Sequence, residues 1–391
     1  MEQSQHQRPN PTPSLFHLFT SFLRLGATAF GGPAMVAYIR SMAVVKKHWL
    51  DDQSARDGVA LCQTIPGATA MQMSAYVGLR AKGVAGAAAS FIGFGLPAFL
   101  FMMSLSALYE RVHALPAVVS AFNGLQAIIV AVVANAALSF GRSTIKDWKN
   151  IINAVIAAGL FGLKVSPILV IIVAALLGAI LYNKQPLPPA VSPAKKAHAP
   201  KSLFMILSTI AIGFGVLYFL DRRLFDLGTL MFRIDLFAFG GGFASVPLMY
   251  HEVVEARSWL DGQTLLDGIA LGQVTPGPIV MTATFVGYLL NGFLGGLIAT
   301  ICVFFPSFLM VIGIVPYFDR LRSSTHFNKV MIGISCSFVG LLLTVTIRFS
   351  LNIPWDATRI LLSGAAFMAL LLKVDILWVV LAGTVISLIV L

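Results

Sequence analysis

The chain repeats itself. Phe30-Gly31-Gly32-Pro33 returns as Phe239-Gly240-Gly241-Gly242, and Trp49-Leu50-Asp51 returns as Trp259-Leu260-Asp261. Gln63-Thr64-Ile65-Pro66-Gly67 returns as Gln273-Val274-Thr275-Pro276-Gly277. Arg24 matches Arg233, Gly78 matches Gly287, Pro97 matches Pro306, Gly124 matches Gly333 and Lys164 matches Lys373, always at an offset of 209 or 210. Two homologous halves, roughly 22–182 and 231–391, make up most of the sequence. Duplicated halves in an apolar chain are a signature of transporters.

Composition supplies the apolar part. Of 391 residues, 58% are hydrophobic and 11% charged, at a mean hydropathy of +0.86. A soluble globular protein carries about 25% charged residues, so most of this surface must face something other than water. Long apolar runs without strand-like alternation predict an all-α polytopic membrane protein rather than a membrane barrel. The net charge of +11 comes from 27 Lys and Arg against 16 Asp and Glu. These cations sit in short loops between apolar spans, which fits a positive-inside bias better than a nucleic-acid partner. Cys62, Cys302 and Cys336 lie in apolar stretches, with neither a disulfide framework nor metal-ligand spacing. Residues 1–13 are polar and Pro-rich, a poor match to a cleavable signal peptide, so the first span is expected to stay in place.

Apolar spans are predicted near 15–40, 57–79, 84–109, 117–140, 150–163 and 165–182, with counterparts near 228–249, 267–289, 293–316, 329–348, 359–372 and 374–391. The expected boundaries are 14–183 for the first repeat, 184–202 for a Pro/Lys-rich linker, 203–221 for one connecting transmembrane helix and 225–391 for the second repeat. The last two segments of each half are short and divided by Lys164 or Lys373, which suggests tight hairpins. Six crossings return a chain to its starting side, and a seventh inserts the second half upside down. The count therefore predicts inverted-topology repeats with about 13 spans. Charge supports this in part: with the N-terminus inside, 15 Lys and Arg fall inside and 10 outside. The loop holding Arg40, Lys46, Lys47 and Arg56 is the worst violation. A Pro-Gly segment that is re-entrant instead of spanning would change the sidedness.

Candidate site residues cluster at the repeated motifs. Pro66-Gly67 and Pro276-Gly277 interrupt helices at membrane depth, where freed N–H and C=O groups need protein or a water-filled cavity. A half-helix N-terminus suits an anion. One such break reads most simply as a kinked helix. The same break twice, each time preceded by a Gln (Gln63, Gln273) and a Thr (Thr64, Thr275), points to a transport site. Gly31-Gly32 and Gly240-Gly241 offer either an anion-binding nest or close helix packing. Arg24 and Arg233 lie within apolar spans and either face a cavity or snorkel to the interface. Asp235 is the candidate for proton coupling, or else neutralises Arg233. Glu252 and Glu255 read as a solvated loop. No nucleotide-binding loop or catalytic acid pair occurs within a span, so neither an ATP-driven pump nor an enzyme is expected, and no cofactor is implied.

These residues resemble the chromate ion transporter family, in its long-chain, two-domain form. The likeness rests on the ordered set Arg24, Phe30-Gly31-Gly32-Pro33, Trp49 and Gln63-x-x-Pro66-Gly67, repeated as Arg233, Phe239-Gly240-Gly241, Trp259 and Gln273-x-x-Pro276-Gly277-Pro278. The sequence departs from the family pattern at Gly242, at Ala68 and at Val45-Lys46-Lys47-His48. The resemblance implies a multi-pass protein of the inner (plasma) membrane that exports chromate, with sulfate as a look-alike substrate. The expected partners are such an oxyanion and the lipid bilayer, with no nucleic acid; a homodimer is compatible. Arg24 and Arg233 would supply charge, and the Gly and Pro-Gly backbone would bind oxygens with Gln63, Thr64, Gln273 and Thr275. Rocking of the two halves would expose the site alternately. The alternatives are a sulfate transporter or an anion channel of the same fold; an intramembrane reductase would need a redox centre.

Overall fold

The computed structural model describes residues 13–30, 32–182 and 201–390, and all regular structure among them is helical. In the first half α1 (Leu15–Thr28), α2 (Gly32–Arg40, continued by a π-helical turn to Lys46), α3 (Asp52–Thr64), α4 (Thr69–Val112), α5 (Pro116–Thr144), α6 (Trp148–Gly162) and α7 (Pro167–Leu181) follow in order. The connecting helix is α8 (Lys201–Leu220). The second half has α9 (Arg222–Phe237), α10 (Ser245–Met249, continued as a π-helix to Ala256), α11 (Gly262–Val274), α12 (Thr282–Ile314), the short α13 (Phe318–Arg322), α14 (Thr325–Leu351), α15 (Ala357–Leu371) and α16 (Ile376–Val390). Most of the 184–202 linker and Gly31 lie outside the described residues.

The first two predicted spans of each half are not single crossings. The chain reverses at Phe30, because Lys47 Nζ at the end of α2 lies 3.3 Å from His17 Nε2 near the start of α1, with Trp49 against His17 and Phe22. It reverses again at Pro66-Gly67: Tyr76 Oη donates to Ser54 O at 3.0 Å, and its ring lies over Gly58. Gly268 under Phe285 and Arg233 beside Glu252 mark the same two hairpins in the second half. The legs of the second hairpin, α3 and 69–81, are 13 residues each. At about 1.5 Å per residue they reach roughly 20 Å, short of a hydrocarbon core about 30 Å thick. α4 then folds back at Lys82-Gly83, with Ser90 Oγ donating to Ser74 O at 2.7 Å, before its long leg 84–112. α12 has the same break at Asn291-Gly292.

Local sequence explains the hairpins. The Asp of each Trp-Leu-Asp motif is the helix N-cap: Asp51 accepts from Ser54 N at 2.8 Å, and Asp261 from Thr264 N at 2.7 Å. Gly67 and Gly277 hold φ of +113° and +116°, which a side chain rarely permits. Lys164 and Lys373, both at φ +64°, turn α6 into α7 and α15 into α16. Among the described residues, Thr69–Val112, Pro116–Thr144, Ile279–Tyr317 and Thr325–Leu351 are long and apolar enough to cross a membrane. Large apolar side chains such as Phe101, Ile172, Phe219 and Trp378 are exposed on outer faces, as lipid contact requires.

The halves interlock. The α6–α7 hairpin of the first half packs on α14 of the second, and α15 and α16 pack on α5. Two composite bundles result. One holds α1–α4 with α9–α12, and the other holds α5–α7 with α14–α16. The central pair α4 and α12 is antiparallel: Phe91 meets Phe308 with centroids 5.1 Å apart, while Met103 abuts Gly296. The halves are therefore not separate bodies that could rock as units.

Candidate functional site

Hairpin tips from both halves meet at the centre. Gly67 N donates to Ala238 O at 2.9 Å, and reciprocally Gly277 N donates to Ala29 O at 3.1 Å. Each Pro-Gly tip is thus tied to the end of the first helix of the other half. The amide hydrogens at the tips find protein partners, as backbone at membrane depth must.

A cavity of about 1040 Å³ opens beside these tips, between the two bundles. One wall is formed by the tips and by α2, α3 and α11; the other is formed by α5, α14 and the start of α16. Among the described residues lining it, Arg40 and Arg56 are the only charged side chains. Both guanidinium groups pair with Asp52, Arg40 at 2.5 Å and Arg56 through the same carboxylate's other oxygen. Helix N-termini point the same way. The first turn of α4 (Thr69, Ala70) and the 3₁₀ turns beginning at Gly242 and Ile279 border the cavity, and none has a side-chain cap. Their free N–H groups and positive dipole ends suit an anion. Gln273 adds a carboxamide nitrogen with no hydrogen-bond partner.

Of the sequence-predicted residues, Gln63, Gly240, Gly241, Gln273, Thr275 and Gly277 line this cavity. Pro66, Gly67 and Pro276 are buried in the tips behind it, and Thr64 spends its hydroxyl on Ala60 O at 2.7 Å. Gly32 starts α2, and Gly31 lies outside the described residues. Arg24 and Arg233 stand elsewhere. Arg24 is exposed on α1, and Arg233 lies 3.6 Å from Glu252. Each sits on a hairpin leg about two turns before the tip, facing away from the cavity lining. The cavity arginines are Arg40 and Arg56, from the loop that violated the charge rule; that violation was the signal. Glu252 and Glu255 are not solvated: Glu252 pairs with Arg257, and Glu255 lies 2.6 Å from Arg348 with 14% of its side chain exposed.

Asp235 is fully buried and does not pair with Arg233. Its Oδ2 accepts from Ser307 N at 2.9 Å and Ser307 Oγ at 2.7 Å, while Oδ1 has no partner. Ser307 Oγ accepts from Ala68 N at 2.9 Å, beside the first Pro-Gly tip. Gln72, also fully buried, donates to Pro66 O. The corresponding positions at the second tip are Gly26 and Ala98, so this polar cluster exists at one tip only.

Fold and cavity together define a multi-pass, all-helical membrane transporter built from duplicated, interlocked halves. A chromate transporter family profile matches residues 16–179 and again 225–388. The chain belongs to the chromate transporter family and is a transporter, not an enzyme. An uncharacterised transporter of Methanocaldococcus jannaschii is 44% identical over 96% of this chain and 94% of its own length. A chromate transport protein of Cupriavidus metallidurans is 29% identical over 93% of this chain and 89% of its own. An uncharacterised transporter of Bacillus subtilis is 32% identical over 36% of this chain and 80% of its own length, so it aligns with about one repeat. No solved structure matches the chain.

Proposed function

We propose that this protein carries chromate, a tetrahedral dianion, out across the cytoplasmic membrane as a secondary transporter, with the central cavity as its binding site. The observation that carries the reading is the cavity's composition. Uncapped helix N-termini, two arginines and an unpartnered carboxamide donor converge there; none of the described lining residues is acidic, and Asp52, which bridges the two arginines, lies outside the lining. Arg40 and Arg56 attract the dianion, and their planar donor forks match its oxygens. Gln63, Gln273 and Thr275 supply side-chain donors, and the backbone near Gly240-Gly241 and Gly277 supplies amides. Chromate transport by the Cupriavidus relative supports the choice of oxyanion.

The repeats are inverted in this proposal, with α4 and α12 as antiparallel equivalents across a pseudo-twofold axis in the membrane plane; their contacts support it. Export is driven by protons, and Asp235 is the carrier. A buried carboxylate inside a membrane protein, with one oxygen unpartnered and no basic side chain paired to it, is a default candidate for that role.

The test is labelled chromate uptake into everted vesicles, with and without a pH gradient. Arg40→Gln with Arg56→Gln is expected to lower uptake at least tenfold at equal expression. Asp235→Asn is expected to abolish the pH-gradient dependence while leaving chromate binding. Unchanged uptake in the double arginine variant would refute the site. Stronger competition by sulfate than by chromate itself would reassign the substrate.

A further inference from the structure

The cavity meets solvent at one end of the bundle interface, where its lining residues Arg40, Arg56, Ser139 and Ser143 are exposed, whereas the equivalent end in the other half is packed shut. α10 and α11 of the second half pack against helices of the second bundle, α10 on α7 and α14 and α11 on α5 and α16; α2 and α3 have no packing of that extent among the described residues. At the sealed end, Arg348 near the C-terminus of α14 donates to Glu255 at 2.6 Å and to Phe161 O at 2.5 Å. His251 Nδ1 lies 3.1 Å from the same Glu255 carboxylate oxygen. The side chains of Glu255 and Arg348 are 14% and 12% exposed. Glu255 belongs to the first bundle and Arg348 to the second, so the ion pair bridges the two.

The repeat relation shows what stands at the open end. Arg348, Phe349 and Asn352 correspond to Ser139, Phe140 and Ser143, and Glu255 corresponds to Val45. Ser139, Phe140 and Ser143 all line the cavity, and Val45 is 66% exposed. The two ends face opposite ways. α6 follows α5 through a short turn and then runs alongside α14 in the same direction, with Thr344 Oγ1 on Ala158 O at 3.3 Å and Arg348 on Phe161 O four residues later. α5 and α14 are therefore antiparallel.

We infer that Glu255 and Arg348 form a one-sided latch between the composite bundles, closing the end of the transport path opposite the open cavity. It rests on the transport reading above. The bodies that move are the two composite bundles, and opening the sealed end requires separating a nearly buried ion pair. Such separation is costly because each charge loses its partner before water replaces it. At the open end the equivalent positions, Val45 and Ser139, carry no charge, so no matching ion pair holds the bundles there. The latch therefore biases the resting protein toward one access state, and relief of the latch shifts the populations.

The experiment is thiol labelling of the full chain in proteoliposomes, in a background where Cys62, Cys302 and Cys336 are replaced. Asn135→Cys reports the open end, since Asn135 lines the cavity. Thr344→Cys reports the sealed end, since Thr344 is its repeat counterpart and is buried. With the latch intact, a water-soluble methanethiosulfonate should label Asn135→Cys quickly and Thr344→Cys slowly. Glu255→Gln should raise the Thr344→Cys rate about tenfold and lower that of Asn135→Cys, within the usual range of coupling between two states. The exchange Glu255→Arg with Arg348→Glu should restore both rates. Unchanged rates in Glu255→Gln and Arg348→Gln would overturn the latch. So would a rise at both positions together, which marks loosening instead of a shift between states. No substrate is present in this assay, so its failure leaves the transport reading standing, and failure of chromate uptake leaves the labelling result intact.

Discussion

Gly277→Ala probes the interlocking directly. Gly277 holds φ +116°, and a Cβ there would stand 2.6 Å from Ala98 Cβ on the long leg of α4, in the other half. Two costs add. Keeping an alanine in that backbone conformation costs about 1–3 kcal/mol. Forcing a methyl group into a filled site costs about 1–3 kcal/mol more. Ala98→Gly removes the atom that is struck and costs about 0.5–1 kcal/mol by itself, as glycine inside a helix. In the double variant the overlap disappears and the backbone strain remains. It should therefore be less destabilised than the summed single variants by about 1–3 kcal/mol. The measurement is a double-mutant cycle from denaturant unfolding of the full chain in detergent micelles. Gly67→Ala is the control, because its Cβ would strike Ser307 Oγ and stand 3.0 Å from Asp235 Oδ2, not meet Ala98. Ala98→Gly should not rescue it. Additivity of Gly277→Ala and Ala98→Gly within about 0.5 kcal/mol would refute the contact between the second tip and the first half.

Arg24→Gln should leave chromate uptake in everted vesicles within about twofold of the native protein, since the side chain is exposed outside the cavity lining; a loss as large as that of the Arg40 and Arg56 pair would return Arg24 to the site. Asp51→Ala should lower stability by about 1 kcal/mol, the usual worth of an N-cap, read as a lowered unfolding midpoint in micelles. The Ser54 backbone N–H, followed by its hydroxyl, holds the Asp51 carboxyl below the usual carboxylate range. A depressed folded value means that the cap's contribution is complete above the unfolded pKa of about 3.9 and fades as the pH falls through the folded value. The difference between Asp51→Ala and the native protein should therefore shrink only in acid, and a difference that grows there would contradict the cap.

Repetition made much of the candidate site legible. The motifs that recur, Phe-Gly-Gly and Gln-x-x-Pro-Gly, are the hairpin tips, and six of the residues chosen from them border the cavity. The recurring Lys164 and Lys373 are the turns of the terminal hairpins. Where the reading failed, it failed on direction. Arg24 lies six residues before Phe30, close enough along a helix to suggest the site, but helix position fixes which face a side chain takes only when the packing partner is known. That partner is the long leg of α4, which covers the other face of α1: Gly26 sits against the Phe94 backbone. Arg40 and Arg56 sat in a stretch that looked like an external loop, since its residues are polar and its helices are short.

Hydropathy cannot separate a 25-residue crossing from a hairpin of two 13-residue legs, because both bury apolar side chains along their whole length. The misreading of 15–40 and 57–79 nonetheless leaves the parity of the chain intact. A hairpin that returns to its own side adds nothing to the count, so replacing an even number of crossings with hairpins keeps each half even. On that count a single crossing by α8 would still reverse the second half, as the proposed inversion requires. This is why hairpins in place of two predicted spans remain compatible with the proposed inversion. The proposed inversion depends on an odd number of crossings between equivalent positions, whereas the candidate site is built from segments too short to cross. Half-length legs leave three uncapped helix N-termini beside the central cavity, where a continuous helix would have kept its N–H groups bonded to its own carbonyls. The same brevity that hides the hairpins from a hydropathy count therefore leaves the uncapped helix N-termini on which the proposed oxyanion site rests.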